Sequence, residues 1–557
     1  MKQALAIVYK SRIFIPACIV LFTLCVYFQS LSNGFVWDDD VVIVKNNFIS
    51  SVRNIPVLVS RNYLSPFIKK GCCFFVDISR GSGETSYRPL VTLSYFLDYA
   101  LWKRNPFGYH AANLLLHAAN AVMVFYVIFL FTRAHAVSMA AALAWLAHPI
   151  QSEAVNVISF REDPLMFFFY LLSFLLFVNR RVARSREGET VCYSLSVICF
   201  LAALFTKEMA VSLPIMIFLY MYFFERNNNK KEFSLRPLVW FAVALSMYIA
   251  ARFIVFINTG EPPVTYPGGS FFTNGLTMIR VFAEYLKWLV FPWNIPAVMP
   301  GQGYAAVSSL WDFSFILSAI FLSGSAFIIY RLSAGRKIRL FAAGWFVVTL
   351  IPVSNIIPLS NYIAPRYLYL PLFGVVLWVA DFFLEYRMAC IRSSCRRFST
   401  VLFFLLIFWY GINSFFCVFT WRNNSILFLT MSERFPDNPF VHLELGNTFR
   451  DAGNPEEALN EYCRALVLNP RLVDAYNNAG IVLGRMRKYR AAESFLSKAI
   501  HVDPYFSSAY TNLGVTYALS GNEGKARAAW EAALAVNPED REAEMNLKKL
   551  LHRKEKL

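Results

Sequence analysis

Apolar residues crowd the first three quarters of this chain in runs of near-bilayer length. The first run, Ile13 to Leu31, is followed by a polar segment over residues 32–109 that is rich in Asn, Ser, Gly and Asp. Eleven more runs follow at about 111–131, 136–149, 164–179, 191–206, 209–224, 237–256, 276–292, 313–330, 340–357, 367–384 and 399–418. A run of about 20 apolar residues spans a bilayer as a helix, so the pattern predicts a polytopic helical bundle. From Ser432 the pattern changes. Asn469-Pro470, Asp503-Pro504 and Asn537-Pro538 recur every 34 residues, and Gly446, Gly480 and Gly514 keep the same spacing. So do Ala458, Ala492 and Ala526, and Ala465, Ala499 and Ala533. A 34-residue period with small residues at fixed places is the tetratricopeptide pattern of paired helices. The chain therefore reads as all-α, with a membrane region over 1–431 and a solenoid over 432–557. Within the latter, three repeats end in a polar capping helix.

Composition and charge sharpen this picture. The 557 residues are 57% hydrophobic and 16% charged, too apolar for a soluble globular protein. The net charge of +17 lies entirely before Ser432, because the C-terminal region has 17 basic and 17 acidic residues. A basic surplus confined to apolar sequence is a positive-inside signal and excludes a nucleic-acid partner. Lys2, Lys10 and Arg12 precede the first run, which no small-x-small cleavage site follows, so it reads as a retained span with a cytoplasmic N-terminus. The basic groups are Arg180, Arg181, Arg184 and Arg186; Arg226, Lys230, Lys231 and Arg236; Arg331, Arg336, Lys337 and Arg339; and Arg387, Arg392, Arg396 and Arg397. All four face the cytoplasm if 276–292, which carries Arg280, Glu284 and Lys287, is re-entrant or interfacial. Eleven spans result, and the repeats lie outside the cytoplasm. The ten cysteines form neither a zinc spacing nor a disulfide framework, and the pairing of Cys72 and Cys73 is left open. A metal site is not expected.

Several polar motifs interrupt the apolar pattern. Phe35-Val36-Trp37-Asp38-Asp39-Asp40 follows the first span. Three adjacent carboxylates beside a membrane repel one another, which raises at least one pKa and suits a base for an acceptor hydroxyl. An incidental acidic turn is the competing reading. Tyr87-Arg88-Pro89-Leu90 opens a stretch whose Leu93, Phe96, Leu97 and Leu101 predict one face of an interfacial helix. Arg88 there meets a lipid phosphate or snorkels to headgroups. His110, Asn113 and His117 share a helical face and read as a hydrogen-bonded helix interface. Further insertions are His148-Pro149 with Glu153, Arg161-Glu162-Asp163-Pro164, Thr206-Lys207-Glu208, and Asn361 to Tyr367 around the lone cation Arg366. The predicted topology sets all of these on the side of Asp38. Charges at span ends are paired or functional; mutual pairing, such as Arg161 with Glu153, is the structural option. A lone Arg at a membrane surface suits a phosphate. Without a nucleotide-binding motif, an activated sugar would arrive in the membrane.

These motifs, in this order and with the terminal repeats, resemble the transmembrane-and-tetratricopeptide-repeat O-mannosyltransferases of the GT-C glycosyltransferase superfamily. The resemblance covers essentially the whole chain. It implies a GT-C-like membrane domain and transfer of mannose, with inversion, from a polyprenyl- or dolichyl-phosphate donor. The acceptor would be a Ser or Thr hydroxyl of a protein or peptide held by the repeats, outside the cytoplasm. By that resemblance Asp38 and Asp39 are the catalytic acidic pair, Arg88, Lys207 and Arg366 hold the donor phosphate, and His148, Glu153, Arg161, Asp163 and Glu208 line or brace the site. No cofactor beyond the lipid-phosphate sugar is implied. Three repeats are fewer than eukaryotic members usually carry, which points to a bacterial or archaeal cell membrane rather than the endoplasmic reticulum. A membrane-anchored scaffold and a transporter of lipid-linked saccharide are the competing functions.

Overall fold

The computed structural model describes residues 2–59, 67–70, 73–76, 86–183, 185–226, 234–256, 265–293, 295–296, 305–359, 361–389 and 393–555. The first apolar run forms α1 (Lys2–Tyr27). The polar segment after it contains short tight-turn helices and one antiparallel ladder, β1 (Phe67–Lys70) against β2 (Cys73–Val76). That hairpin is the only sheet among the described residues. Cys72 lies outside them, and Cys73 opens β2. Then come α2 (Pro89–Trp102), α3 (Pro106–Thr132), α4 (His135–Ala147), α5 (Ser152–Asn156), α6 (Glu162–Asn179) and α7 (Arg186–Leu204). The bundle continues with α8 (Leu213–Tyr220), α9 (Val239–Phe256), α10 (Phe271–Val290), α11 (Phe313–Ser333), α12 (Lys337–Leu350), α13 (Leu372–Ala389) and α14 (Ser393–Thr420). Proline begins α2 and α3, where its missing N–H is no loss.

Among the described residues eight helical stretches are long and apolar enough to cross a membrane, against eleven expected. The shortfall is in α4, α12 and α13. The first two have 13 and 14 residues, and α13 carries Asp381, Glu385 and Arg387. α12 and α13 nonetheless run between the same two ends as their neighbours. At one end Arg180 pairs with Glu225 (3.0 Å), and Arg339 with Asp381 (2.9 Å). At the other end lie Asp38, Lys207 and Arg366. The 18 residues of α6 separate these ends by about 27 Å. α10 is amphipathic, with Leu276, Val281, Tyr285 and Trp288 buried and Lys287 outward, and it is not among the eight.

The bundle core is aromatic. Trp145 stacks on Phe167 (5.0 Å between centroids) and meets Tyr369 edge-on at 5.1 Å. His117 joins it through the Tyr369 hydroxyl at 2.8 Å, and Asn120 donates to the Pro164 carbonyl. The polar face of α3 is thus a hydrogen-bonded interface, which burial in an apolar core demands. α2 departs from its predicted face. Leu97 and Leu101 are exposed, but Phe96 is buried against Phe48, and Tyr95 and Asp98 also point inward. Arg161 draws Asp98 in, so an ion pair rather than the apolar stripe sets the rotation of α2.

A short lead helix, α15 (Asn424–Arg434), follows α14. The repeats then pair α16 (Pro439–Asp451) with α17 (Pro455–Leu468), α18 (Val473–Arg485) with α19 (Tyr489–Val502), and α20 (Ser507–Leu519) with α21 (Glu523–Val536). α22 (Arg541–Glu555) caps the stack. The periodic glycines are there because the paired helix leaves no room. A Cβ on Gly446 would lie 2.6 Å from the Tyr462 ring, and one on Gly480 2.6 Å from Leu496. The first repeat packs on the bundle at the Asp38 end. Val36, Val157 and Phe160 share one buried cluster with Trp421, Phe428, Met431, Val441 and Leu445.

Candidate active site at one end of the bundle

The three consecutive carboxylates have three different environments. Asp40 is half exposed and pairs with Lys45 at the surface. Asp39 is fully buried; its Oδ2 accepts from Val36 N (3.1 Å) and its Oδ1 from Ser159 N (2.7 Å). It therefore clamps the acidic turn onto the 158–161 segment. Asp38 opens into a cavity, and its side chain makes no hydrogen bond or ion pair among the described residues. Burial pushes both Asp38 and Asp39 up to about 6. For Asp38, Arg366 opposes that rise while Glu162 and Glu153 add to it; for Asp39, the two backbone N–H groups oppose it. Asp38 keeps an accessible side chain at the cavity, whereas Asp39 has none.

Trp37 fixes this turn. Its φ is +55°, a left-handed conformation costly for a bulky residue. Its indole stacks on Phe428 at 5.4 Å and meets Phe440 edge-on at 5.7 Å, while its backbone N–H donates to Asn424 Oδ1 at 2.9 Å. The lead helix and the first repeat thus hold the strained residue in place. Immediately after it, Asp40–Val44 forms a wide-turn helix.

The cavity has a volume of about 330 Å³, within the roughly 300–1,000 Å³ of small-molecule sites. Asp38, Arg88, Glu162, Lys207, Glu208 and Arg366 supply its charged lining, and Val41, Val42, Met209, Val353 and Leu359 its apolar walls. Of the expected site residues, Asp38, Arg88, Lys207, Glu208 and Arg366 therefore converge. Glu153 and Asp163 stand directly behind them. Arg366 bonds Glu153 through both its guanidinium and its backbone N–H (2.9 Å), and its guanidinium lies 3.9 Å from the Phe160 ring centroid. Burial raises Glu153, with Arg366 opposing; Glu153 and its neighbours in turn hold Arg366 firmly protonated. Lys207 Nζ reaches both Asp163 oxygens at 2.7 Å and Glu162 at 3.1 Å. Arg88 bridges Glu162 and Glu208, the latter at 3.2 Å. Each expected phosphate ligand is thus already paired with a carboxylate. Arg366 keeps spare capacity, because its buried Nε has no partner.

Besides Asp39, Glu153 and Asp163, two further expected residues do not line the cavity. Arg161 donates to Asn113 (2.6 Å), Ser94 (3.1 Å) and the Tyr109 carbonyl (3.0 Å) and pairs with Asp98, not Glu153. It binds α2 to α3 and braces the site from behind. His148 is buried, hydrogen-bonded to the Leu289 carbonyl (3.2 Å) and accepting from Ile150 N (3.2 Å). Sequence reasoning assigned Glu162 no role, yet it ties Arg88 to Lys207; its place in a charged insertion was the available signal. Arg252, 3.9 Å from Glu208, was also missed, although a lone cation within an apolar run invites attention.

Comparisons with known proteins fit this architecture. Family models described as "TPR repeat" and "Tetratricopeptide repeat" match residues 446–486 and 507–540. Protein O-mannosyl-transferase TMTC3 of Homo sapiens is 23% identical over 84% of this chain and 53% of its own length. Protein O-mannosyl-transferase F38B6.6 of Caenorhabditis elegans is 25% identical over 80% of this chain and 61% of its own. Protein O-mannosyl-transferase TMTC4 of Homo sapiens is 26% identical over 78% and 63%. The chain spans a little over half the length of the curated relatives it matches. Among solved structures, the Arabidopsis OM64 TPR domain aligns with 21% of this chain and 97% of its own at 24% identity, with a TM-score of 0.21, too low to add to what the repeats already show. Along most of its length the chain is thus similar to proteins named protein O-mannosyl-transferases, and it carries tetratricopeptide repeats of its own.

Proposed function

We propose that this chain is an integral membrane glycosyltransferase that moves mannose from a polyprenyl- or dolichyl-phosphate donor to a Ser or Thr hydroxyl of a protein acceptor. The observation that carries this reading is the unpaired carboxylate of Asp38, aimed into a charged cavity at one end of the bundle and facing Arg366. Asp38 is the general base. Burial tunes it near neutrality, so it is ionised at pH 7 and still basic enough to take a hydroxyl proton. Arg366, which lines the cavity, supplies positive charge to the donor phosphate and stabilises it as the glycosidic bond breaks. Lys207 and Arg88, held by carboxylates, shape the wall and supply positive potential. Asp39 is a positioning residue that acts through the turn bearing Asp38.

The apolar walls near Val353 and Leu359 continue into the exposed Ile351, Ile356 and Ile357, a greasy route by which a lipid chain enters from the membrane. Basic groups gathered at the far end favour a cytoplasmic face there and an extracytoplasmic one at Asp38. The O-mannosyltransferase names of the relatives support the choice of sugar and acceptor. The test is transfer of labelled mannose from polyprenyl-phosphate mannose to a Thr-containing peptide by purified protein. Wild type is expected to label the peptide. A lack of label with every lipid-phosphate sugar, while the lipid is bound, would favour saccharide transport instead.

A further inference from the structure

Behind the wall that carries Arg366 lies a second cavity, of about 240 Å³. Pro149, Glu153 and Pro365 form its inner side, so the Glu153–Arg366 pair divides it from the first cavity. Its other sides come from the last turns of α14, the end of the lead helix α15, and the turn that follows α10. It is smaller than the roughly 300–1,000 Å³ of sites that enclose a whole small molecule. A headgroup fits where an entire sugar lipid does not.

The charge that this cavity offers is that of Arg434. Two acids near it are engaged with other cations: Glu153 with Arg366, and Glu284, which acts on Arg434 from α10, with Lys287 at 3.0 Å. Arg434 is half-buried beside the Phe435 ring, and burial works against its charge. An anion in the cavity offsets that cost. Hydroxyl donors stand with it. Ser152 Oγ accepts from Asn156 Nδ2 at 3.0 Å, and its own proton has no acceptor among the described residues. Thr420 adds a second hydroxyl to the lining. One guanidinium and two hydroxyls are a donor set that suits a phosphate.

The cavity sits where the bundle leaves the membrane. α14 is one of the long apolar helices, and Thr420 at its end lines the cavity. The mouth is apolar. Phe416 lines it and is 61% exposed, and the exposed Ile412 and Phe408 continue the same strip one and two turns back along α14. On the α10 side Pro292 is a wall residue, and Phe291 and Trp293 on either side of it are exposed. Aromatic rings of this kind gather at the membrane–water interface. Two apolar strips on different elements suit the paired acyl chains of a phospholipid better than the single chain of a polyprenyl phosphate.

We infer that the second cavity binds the headgroup of an anionic glycerophospholipid from the surrounding bilayer, with its phosphate on Arg434, Ser152 and Thr420 and its acyl chains along Phe416 and Phe291. Bound there, the lipid ties α14 and the lead helix to the Pro149–Glu153 segment and braces the wall that holds Arg366. This site does not depend on the transferase reading.

The test is protection of Cys417, a half-buried wall residue, from alkylation in the full chain in detergent. Iodoacetamide labelling is followed at each cysteine by peptide mass spectrometry, with the exposed Cys463 of the repeats as internal standard. Dioleoyl phosphatidylglycerol is expected to halve the labelling of Cys417 at about tenfold lower concentration than dioleoyl phosphatidylcholine, whose choline cancels the phosphate charge. Arg434→Gln should erase that difference without changing Cys463. Thr420→Val keeps the shape of the side chain and removes only the hydroxyl, and it should narrow the difference in a protein of unchanged melting temperature. Equal protection by the two lipids in wild type, or an undiminished difference in both variants, would overturn the site. So would stronger protection by polyprenyl phosphate, which would assign the cavity to the carrier lipid, or equal protection by glycerol 1-phosphate, which would leave the acyl chains no part.

Discussion

At the residue scale, the acidic triplet separates into a cavity-lining carboxylate, the base of the proposed reaction, with a clamp and a surface pair beside it. Asp38→Asn should leave the fold intact and lower transfer by roughly 10²–10⁴-fold. Asp39→Asn presents an NH2 group where two backbone N–H donors need an acceptor, so it should destabilise by about 1–3 kcal/mol, read as a lower melting temperature. Asp40→Asn should change neither readout. The pH dependence carries the same assignment. Asp38 must be ionised, so the transfer rate should fall about tenfold per unit below pH about 6 and level off above it. Stability runs the other way for the buried Asp39. Its folded pKa lies above the unfolded one, so the stabilisation it lends is complete below pH about 4 and lost as pH rises through about 6. The crowding of three acids was legible in the sequence. Their separate roles were not, because Ser159 and Lys45, which settle them, lie 120 residues after Asp39 and five after Asp40, and neither spacing marks a contact.

At the element scale, buried ion pairs decide how helices meet. Arg161 reaches α2 and α3 together, and Arg161→Gln should cost about 3–5 kcal/mol because it leaves Asp98 buried without its partner. Thermal unfolding in detergent checks this. The same pair explains why α2 turns Phe96 inward, which the apolar pattern alone did not reveal. Trp37 joins two elements that sequence assigned to separate regions. Phe440→Ala removes one ring from its aromatic cage, worth about 0.5–1.5 kcal/mol beyond burial. Although Phe440 lies on the first repeat, its loss should slow transfer severalfold by loosening the turn that bears Asp38, with little effect on donor KM. The repeats themselves were fully legible, since each periodic glycine answers to a side chain within its own 34-residue unit.

At the scale of the whole molecule, the repeats and the cavity occupy one end of a bundle whose other end gathers the basic groups. The hydropathy pattern showed most of this. It overstated the number of full-length spans because α4 and α12 are short and α13 is charged, yet α12 and α13 still run from one end to the other. A glycosylation or alkylation tag after Leu557 and a second in the first loop at Asn47 should therefore report the same side of the membrane, and a tag near Arg181 the opposite one. The central claim joins Asp38 to sugar transfer from a lipid phosphate. Its most direct test is single-turnover transfer of radiolabelled mannose from polyprenyl-phosphate mannose to a Thr-containing peptide, comparing wild type with Asp38→Asn protein of unchanged melting temperature. Labelled peptide from wild type alone is the predicted result. Equal labelling by both proteins would contradict it.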